Sequence, residues 1–229
     1  MTVRALLFDF DGVIVDTEVP TYESWREIYA EHGVDLALAD WLPAVGTGTS
    51  SAPGAVFDAV AYLERLVGRS LDREAVVARR SRRKIELCDA AVLLPGVADY
   101  LAGARALGLL TAIVTRASDE WVRHHLTRVR LDHPWDRIVC AGGAHQLAKS
   151  VFYRDAVGGL GLAPREAVAF EDSVHGVQAA REAGLRCVAV PNSVTRGGDF
   201  DEADVVLGSL AERGLQDVLA DLGGVDSRR

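Results

Sequence analysis

Two carboxylates one residue apart, Asp9 and Asp11, followed by Gly12, are the first residues whose types and spacing suit chemistry. An aspartate can act as a nucleophile and form an aspartyl-phosphate. A second carboxyl close by can protonate a leaving oxygen and later take a proton from water. Mg²⁺ also accepts one or two protein carboxylates and leaves its other positions to water and phosphate oxygens. A second acidic pair, Glu171-Asp172, stands far down the chain behind another apolar run. Either feature alone reads as an ordinary solvated cap at a strand end. Two such ends in one chain point to a shared cation. Gly12 lets the backbone turn sharply and come close to a ligand.

The segments before these residues say how they are positioned. Residues 3–8 hold only Arg4 as a polar residue and read as a strand buried on both faces. In an open α/β sheet the carboxyl ends of the strands are where ligands bind. Further candidate strands lie at 109–114, 137–140, 167–170, 186–190 and 204–207, with helical patterns between them. This alternation predicts an α/β fold, a doubly wound parallel sheet with a Rossmann-like core. No strand is evident between residues 17 and 90. Instead Tyr22, Trp25, Ile28 and Tyr29 recur at helical spacing, with Pro20 in the first turn and Gly33 as the stop. Val56, Val60, Leu63 and Val67 mark a second helix, and Asp72 caps a third that runs to about residue 89. The predicted organisation is a helical cap over 16–92, inserted into a core of 1–15 and 93–229.

The run Asp9-Phe10-Asp11-Gly12-Val13-Ile14-Val15-Asp16-Thr17 resembles the first motif of the haloacid dehalogenase-like superfamily, DxDG[VT][LI]xD[ST]. With Glu18 added, it is similar to the beta-phosphoglucomutase-like and sugar-phosphatase branch. The stretch from Glu171-Asp172-Ser173 through Gly176, Ala179, Ala180, Ala183 and Gly184 resembles the superfamily's metal motif, EDSxxGxxAAxxAG. Thr115, at the end of the run 109–114, fits the second motif. Lys149 is the only lysine between the second and fourth motifs. The branch reads KPxPDxF or KPxPDxY there, whereas Lys149-Ser150-Val151-Phe152-Tyr153 lacks the proline and brings its aromatic two residues early. The expectation is that Lys149 still aims inward, because an uncompensated dianion beside carboxylates is costly.

The resemblance implies Asp9 as nucleophile and Asp11 as general acid/base, with Thr115 and Lys149 holding the phosphoryl group. It implies a Mg²⁺ site from Asp9, Glu171, Asp172 and the backbone carbonyl of Asp11. Substrate contacts would come from Gly12, Glu18, Gly46 and Thr47, and from the amides of Arg116 and Ala117. The branch's cap histidine, counted from Asp16, falls at Thr21, which cannot serve as a base. The cap loop Gly46-Thr47-Gly48-Thr49-Ser50 lacks the arginine that some mutases carry. Both departures favour a phosphatase over a sugar phosphomutase. A phospho-acceptor signalling module uses a similar set of groups, but there the acidic pair precedes the acceptor aspartate.

Arg79, Arg80, Arg82, Arg83 and Lys84 fan around the third cap helix. They read mainly as a solvated face, with one free to reach a distal anionic group. The histidines lack partners at metal spacing, and Trp25, Trp41, Trp121 and Trp135 are scattered as packing residues would be.

Composition narrows the remaining choices. The chain has 229 residues, 49% of them hydrophobic, enough for a large core. With 25 Lys+Arg against 33 Asp+Glu the net charge is −8, which argues against nucleic acid or an anionic membrane as partner. Three widely spaced cysteines suit buried thiols in a reducing compartment. No apolar run approaches the roughly 18 residues of a membrane helix. Asp9, Asp11 and Asp16 interrupt any signal-peptide core, so a cytoplasmic location is expected. The expected partner is a small-molecule phosphate ester, and the expected state a monomer or weak homodimer.

Overall fold

The computed structural model describes residues 2–46, 57–142 and 147–224. Its first strand, β1 (Ala5–Phe8), leads into the helical insertion of α1 (Glu18–Glu31), α2 (Leu38–Trp41), α3 (Ala59–Val67) and α4 (Arg73–Cys88). The chain then returns through α5 (Val97–Ala106), β2 (Leu110–Val114), α6 (Asp119–Arg128), β3 (Arg137–Val139) and α7 (Lys149–Gly159). It finishes with β4 (Ala167–Glu171), α8 (Val174–Glu182), β5 (Arg186–Ala189), β6 (Val205–Val206) and α9 (Leu215–Asp221). All strand pairs are parallel, in the order β3-β2-β1-β4-β5-β6. The order reverses between β1 and β4, the place where such sheets open a crevice at the strands' carboxyl ends.

Residue parity decides which side chains meet which helices. Leu6 and Phe8 share a buried layer with Tyr100 and Leu101 of α5, Val122 of α6 and Val218 of α9. Ala5 and Leu7 point the other way, onto Phe152 and Tyr153 of α7 and Val177 and Ala180 of α8. Both faces of the sheet are therefore covered, as a doubly wound fold requires. Asp9 follows the parity of Ala5 and Leu7, and Glu171 that of Ala167 and Ala169, so both aim toward α7.

The insertion has a buried layer of its own, made by Trp25, Ile28, Tyr29, Trp41, Val60 and Leu63. Each large side chain buried this way stabilises by about 1.5–3 kcal/mol. The Tyr29 hydroxyl donates to the Ala59 carbonyl at 2.6 Å and ties α1 to α3. Asp58 and Asp72 cap α3 and α4, accepting from the amides of Ala61 and Ala75. Gly68 ends α3 in a left-handed conformation. At the junction with the core, Val15 bridges Leu93, and the Leu94 amide donates to the Ile14 carbonyl at 2.9 Å. Among the described residues no strand lies between 17 and 90, and no helix is long and apolar enough to cross a membrane.

Candidate active site

Strand register builds the site. Phe8 lies level with Ile113 of β2 and Phe170 of β4. One step further, the Asp9 amide donates to the Phe170 carbonyl at 2.9 Å, so Asp9 arrives beside Glu171. The Thr115 amide continues the β2–β3 ladder by donating to the Val139 carbonyl at 3.0 Å. Asp9, Asp11, Thr115, Glu171 and Asp172 thus stand at the carboxyl ends of three adjacent strands.

Lys149 opens α7, and its Nζ sits 2.7 Å from Asp9 Oδ2 and 2.7 Å from Glu171 Oε1. Only 7% of the residue is exposed. Burial alone would lower this ammonium's pKa, but the two carboxylates overcome that and raise it. It stays charged. Tyr153, one helical turn later, donates its hydroxyl to the same Glu171 Oε1. Burial holds this phenol protonated, and the acidic groups beside it add to the shift. The second Asp9 oxygen, Oδ1, accepts from the Phe10 amide at 2.7 Å.

Asp9, Glu171 and Asp172 each bring one oxygen to within 4.8 Å of the others. Burial pushes Glu171 and Asp172 upward, and the neighbouring Asp9 adds to both shifts. Glu171 Oε2 is buried and has no hydrogen-bond partner among the described residues. Packed oxygen donors with one orphaned atom fit a hard divalent cation such as Mg²⁺. Two glycines make the room: a Cβ on Gly12, at φ +80°, would lie 2.2 Å from Asp172 Oδ2, and one on Gly176 would lie 1.9 Å from Glu171 Oε2. Asn192, after β5, donates to Asp172 Oδ2 at 2.8 Å.

The Asp11 side chain turns away from that trio. Its Oδ1 accepts from the Thr17 hydroxyl at 2.5 Å and from the Trp121 indole Nε1 at 2.9 Å. Ser118 caps α6 by accepting from the Trp121 amide, which fixes the indole in the helix's first turn. Thr115 Oγ1 accepts from the Ala117 amide at 3.0 Å, so that amide is engaged while the hydroxyl keeps its proton to donate. Arg116 reaches sideways, its NH1 donating to the Leu147 carbonyl at 3.0 Å, just before Lys149.

The insertion contributes Glu18, at the start of α1, and Arg80 and Lys84, four residues apart on α4. Burial pushes Glu18 up to about 7; Asp11 and Asp9 add to that, while Lys84 and Arg80 offset it. Arg80 is buried, its Nε donating to Ser24 Oγ at 3.0 Å and its guanidinium 5.2 Å from the Trp25 ring. Arg79 and Arg83 instead pair with Glu31 and Glu27 on the surface. Gly46 lies against Ser173, where a Cβ would come within 2.6 Å of Oγ. Thr47 lies outside the described residues.

The structure therefore brings Asp9, Lys149, Glu171, Asp172 and Gly12 together, while the Asp11 side chain is bonded to Thr17 and Trp121 and Thr115 is buried at the end of β2. The sequence reading missed Trp121, Tyr153 and Asn192. Tyr153 carried a usable signal, its spacing of four from Lys149 on one helix face. Asn192 follows the end of a strand adjacent to β4, again a ligand-binding position. Trp121 carried none, because its role depends on where α6 starts.

Comparison with known proteins bears on the fold and the family. YhcW of Bacillus subtilis (strain 168), whose name is that of a phosphatase, is 37% identical over 214 residues, 93% of this chain and 94% of its own. Hexitol phosphatase B of Escherichia coli (strain K12) is 30% identical over 222 residues, covering 95% of this chain and 97% of its own. A crystal structure of a CbbY mutant from Rhodobacter sphaeroides, in complex with xylulose-(1,5)bisphosphate, superposes with a TM-score of 0.70 at 28% identity. That alignment covers 96% of this chain and 99% of the other. Residues 6–190 match the haloacid dehalogenase-like hydrolase family, and the chain belongs to it.

Proposed function

We propose that this phosphoric monoester hydrolase is a Mg²⁺-dependent phosphatase of small sugar or polyol phosphates, working through an aspartyl-phosphate on Asp9. The observation that carries the reading is Lys149 Nζ held 2.7 Å from both Asp9 and Glu171, beside three clustered acids. A buried cation there offsets the charge that a phosphate dianion would otherwise meet at the carboxylates.

Asp9, Glu171 and Asp172 would hold the metal, together with the Asp11 carbonyl. When bound, Mg²⁺ supplies charge neutralisation at the phosphoryl oxygens. An Asp9 oxygen attacks phosphorus, and the bond from phosphorus to the ester oxygen breaks. Lys149 and the Thr115 hydroxyl bind phosphoryl oxygens and orient them. Asp11 gives its proton to the departing alkoxide, then takes one from the water that releases phosphate from Asp9. Tyr153 keeps Glu171 in place, and Asn192 does the same for Asp172.

The cap residues support a polyhydroxylated leaving group. Glu18, titrating near neutrality, accepts or donates to a hydroxyl. Arg80 offers two terminal nitrogens with no acceptor among the described residues. The relatives that act on a hexitol phosphate or hold a bisphosphate sugar are consistent with such a ligand. A phosphate-release screen over sugar, polyol and carboxylic-acid phosphates with Mg²⁺, using Asp9→Asn as the blank, tests the proposal. A hexose 1-phosphate returned as the 6-phosphate isomer, without free phosphate, would overturn it in favour of a mutase.

A further inference from the structure

Asp11 has two carboxylate oxygens, and the fold treats them differently. Oδ1 receives two donors, the Thr17 hydroxyl at 2.5 Å and the Trp121 indole N–H at 2.9 Å. Oδ2 receives none among the described residues. An oxygen that already accepts two hydrogen bonds has little capacity left to carry and deliver a proton. Trp121 is itself held from three directions. Ser118 caps its helix, the His125 ring packs against it edge-on at 4.3 Å, and Lys84 Nζ of the cap lies 4.5 Å from its ring centroid. A cation over the ring draws electron density toward the face and strengthens the indole as a donor.

We propose that Trp121 is a positioning residue for the proton-transfer step: by occupying Oδ1 with Thr17, it makes Oδ2 the oxygen that exchanges the proton. This rests on the phosphatase reading above. In the first half-reaction the Asp9 oxygen bonds to phosphorus, the ester P–O bond breaks, and the alkoxide oxygen takes the proton from Asp11 Oδ2. In the second, a water oxygen bonds to phosphorus, its proton passes to Oδ2, and the Asp9–phosphorus bond breaks. The proton count closes over one turnover. Lys84 links the device to the cap, because the same ring that orients Asp11 carries a contact to α4.

The role separates from simple packing by its dependence on the leaving group. p-Nitrophenolate leaves without help from an acid, whereas an alkoxide requires the proton. Values of kcat/KM, which report the first half-reaction, are measured for sorbitol 6-phosphate and p-nitrophenyl phosphate in wild type and Trp121→Phe. The ratio of the two values does not depend on the fraction of folded enzyme. It is expected to fall about tenfold, part of the roughly 10²–10⁴-fold that general acid catalysis supplies. Replacing Trp121 with 3-benzothienylalanine, which keeps the ring volume and lacks the N–H, is expected to give the same fall and covers a Phe variant that does not fold. An equal loss on both substrates, or no loss on either, overturns the inference while leaving the phosphatase reading intact. A wild-type enzyme that releases phosphate from neither ester overturns that reading, and this inference with it.

Discussion

Lys149 is held by two carboxylates at once, so its removal has two consequences. In the proposed cycle phosphoryl binding loses its buried cation, and Asp9 and Glu171 are left facing each other without compensation. Lys149→Met is expected to lower kcat/KM by about 10²–10³-fold, the cost of deleting one charge-stabilising donor. Breaking a buried pair from one side destabilises by about 3–5 kcal/mol, which urea unfolding without Mg²⁺ would read. A variant with wild-type kinetics would mean that the lysine serves packing alone. Arg80 presents the contrasting case of a buried cation without a carboxylate hydrogen-bonded to it. Burial lowers its pKa to about 10, and it remains charged at neutral pH. Arg80→Met is expected to raise KM for the preferred substrate about tenfold, roughly the weight of one charged hydrogen bond, with kcat changed less than twofold. An unchanged KM would remove Arg80 from substrate recognition.

At the level of elements, the site depends on how closely α8 and the loop after β1 approach the acids. Gly176 lets the first turn of α8 pack on Glu171, and Gly176→Ala places a methyl where Oε2 sits. Titration calorimetry of this variant is expected to show Mg²⁺ affinity reduced at least tenfold; an unaltered affinity would mean that Glu171 is not part of the metal site. The acidic strand ends and the parallel sheet were legible in the sequence because two chemical signals coincided with two apolar runs. Asp58 was the exception among the caps: it starts α3 at Ala59, whereas the spacing of apolar residues began the helix at Val56, now outside the described residues. The strands expected at 204–207 and 186–190 are Val205–Val206 and Arg186–Ala189 in the structure, with the amides of Asp204, Leu207 and Val190 at their ends still donating to the carbonyls of Cys187, Ala189 and Glu171. Lys149 was legible only as the sole lysine in its interval, and the direction of its side chain required the parity of α7 against β1 and β4. Arg80 could not be told from Arg79 or Arg83 by composition. The difference is that α1 offers Glu31 and Glu27 to those two on the surface, and Ser24 and Trp25 to Arg80 inside.

For the molecule as a whole, gathering acids in a dry crevice links stability to pH and to metal. Glu18 and Glu171 titrate near 7 and 8 in the folded chain, and Asp172 is raised as well, whereas unfolded carboxylates titrate near about 4. The folded state therefore keeps protons that the unfolded state has released. The stability these three groups contribute to the metal-free protein is full below about pH 4 and is lost as pH rises through about 8. Mg²⁺ bound as proposed would replace those protons, so its stabilising effect would grow over the same interval. Thermal unfolding between about pH 5.5 and 8.5 is expected to show a falling Tm without Mg²⁺ and a widening gap with it. A Tm that rises with pH and ignores Mg²⁺ would contradict the metal site. The proposed cycle turns on a covalent bond between phosphorus and Asp9. Borohydride reduction of the enzyme during turnover, followed by peptide mass spectrometry, converts an aspartyl-phosphate to homoserine and reads its position. The account predicts homoserine at residue 9; steady phosphate release with residue 9 recovered only as aspartate would contradict it.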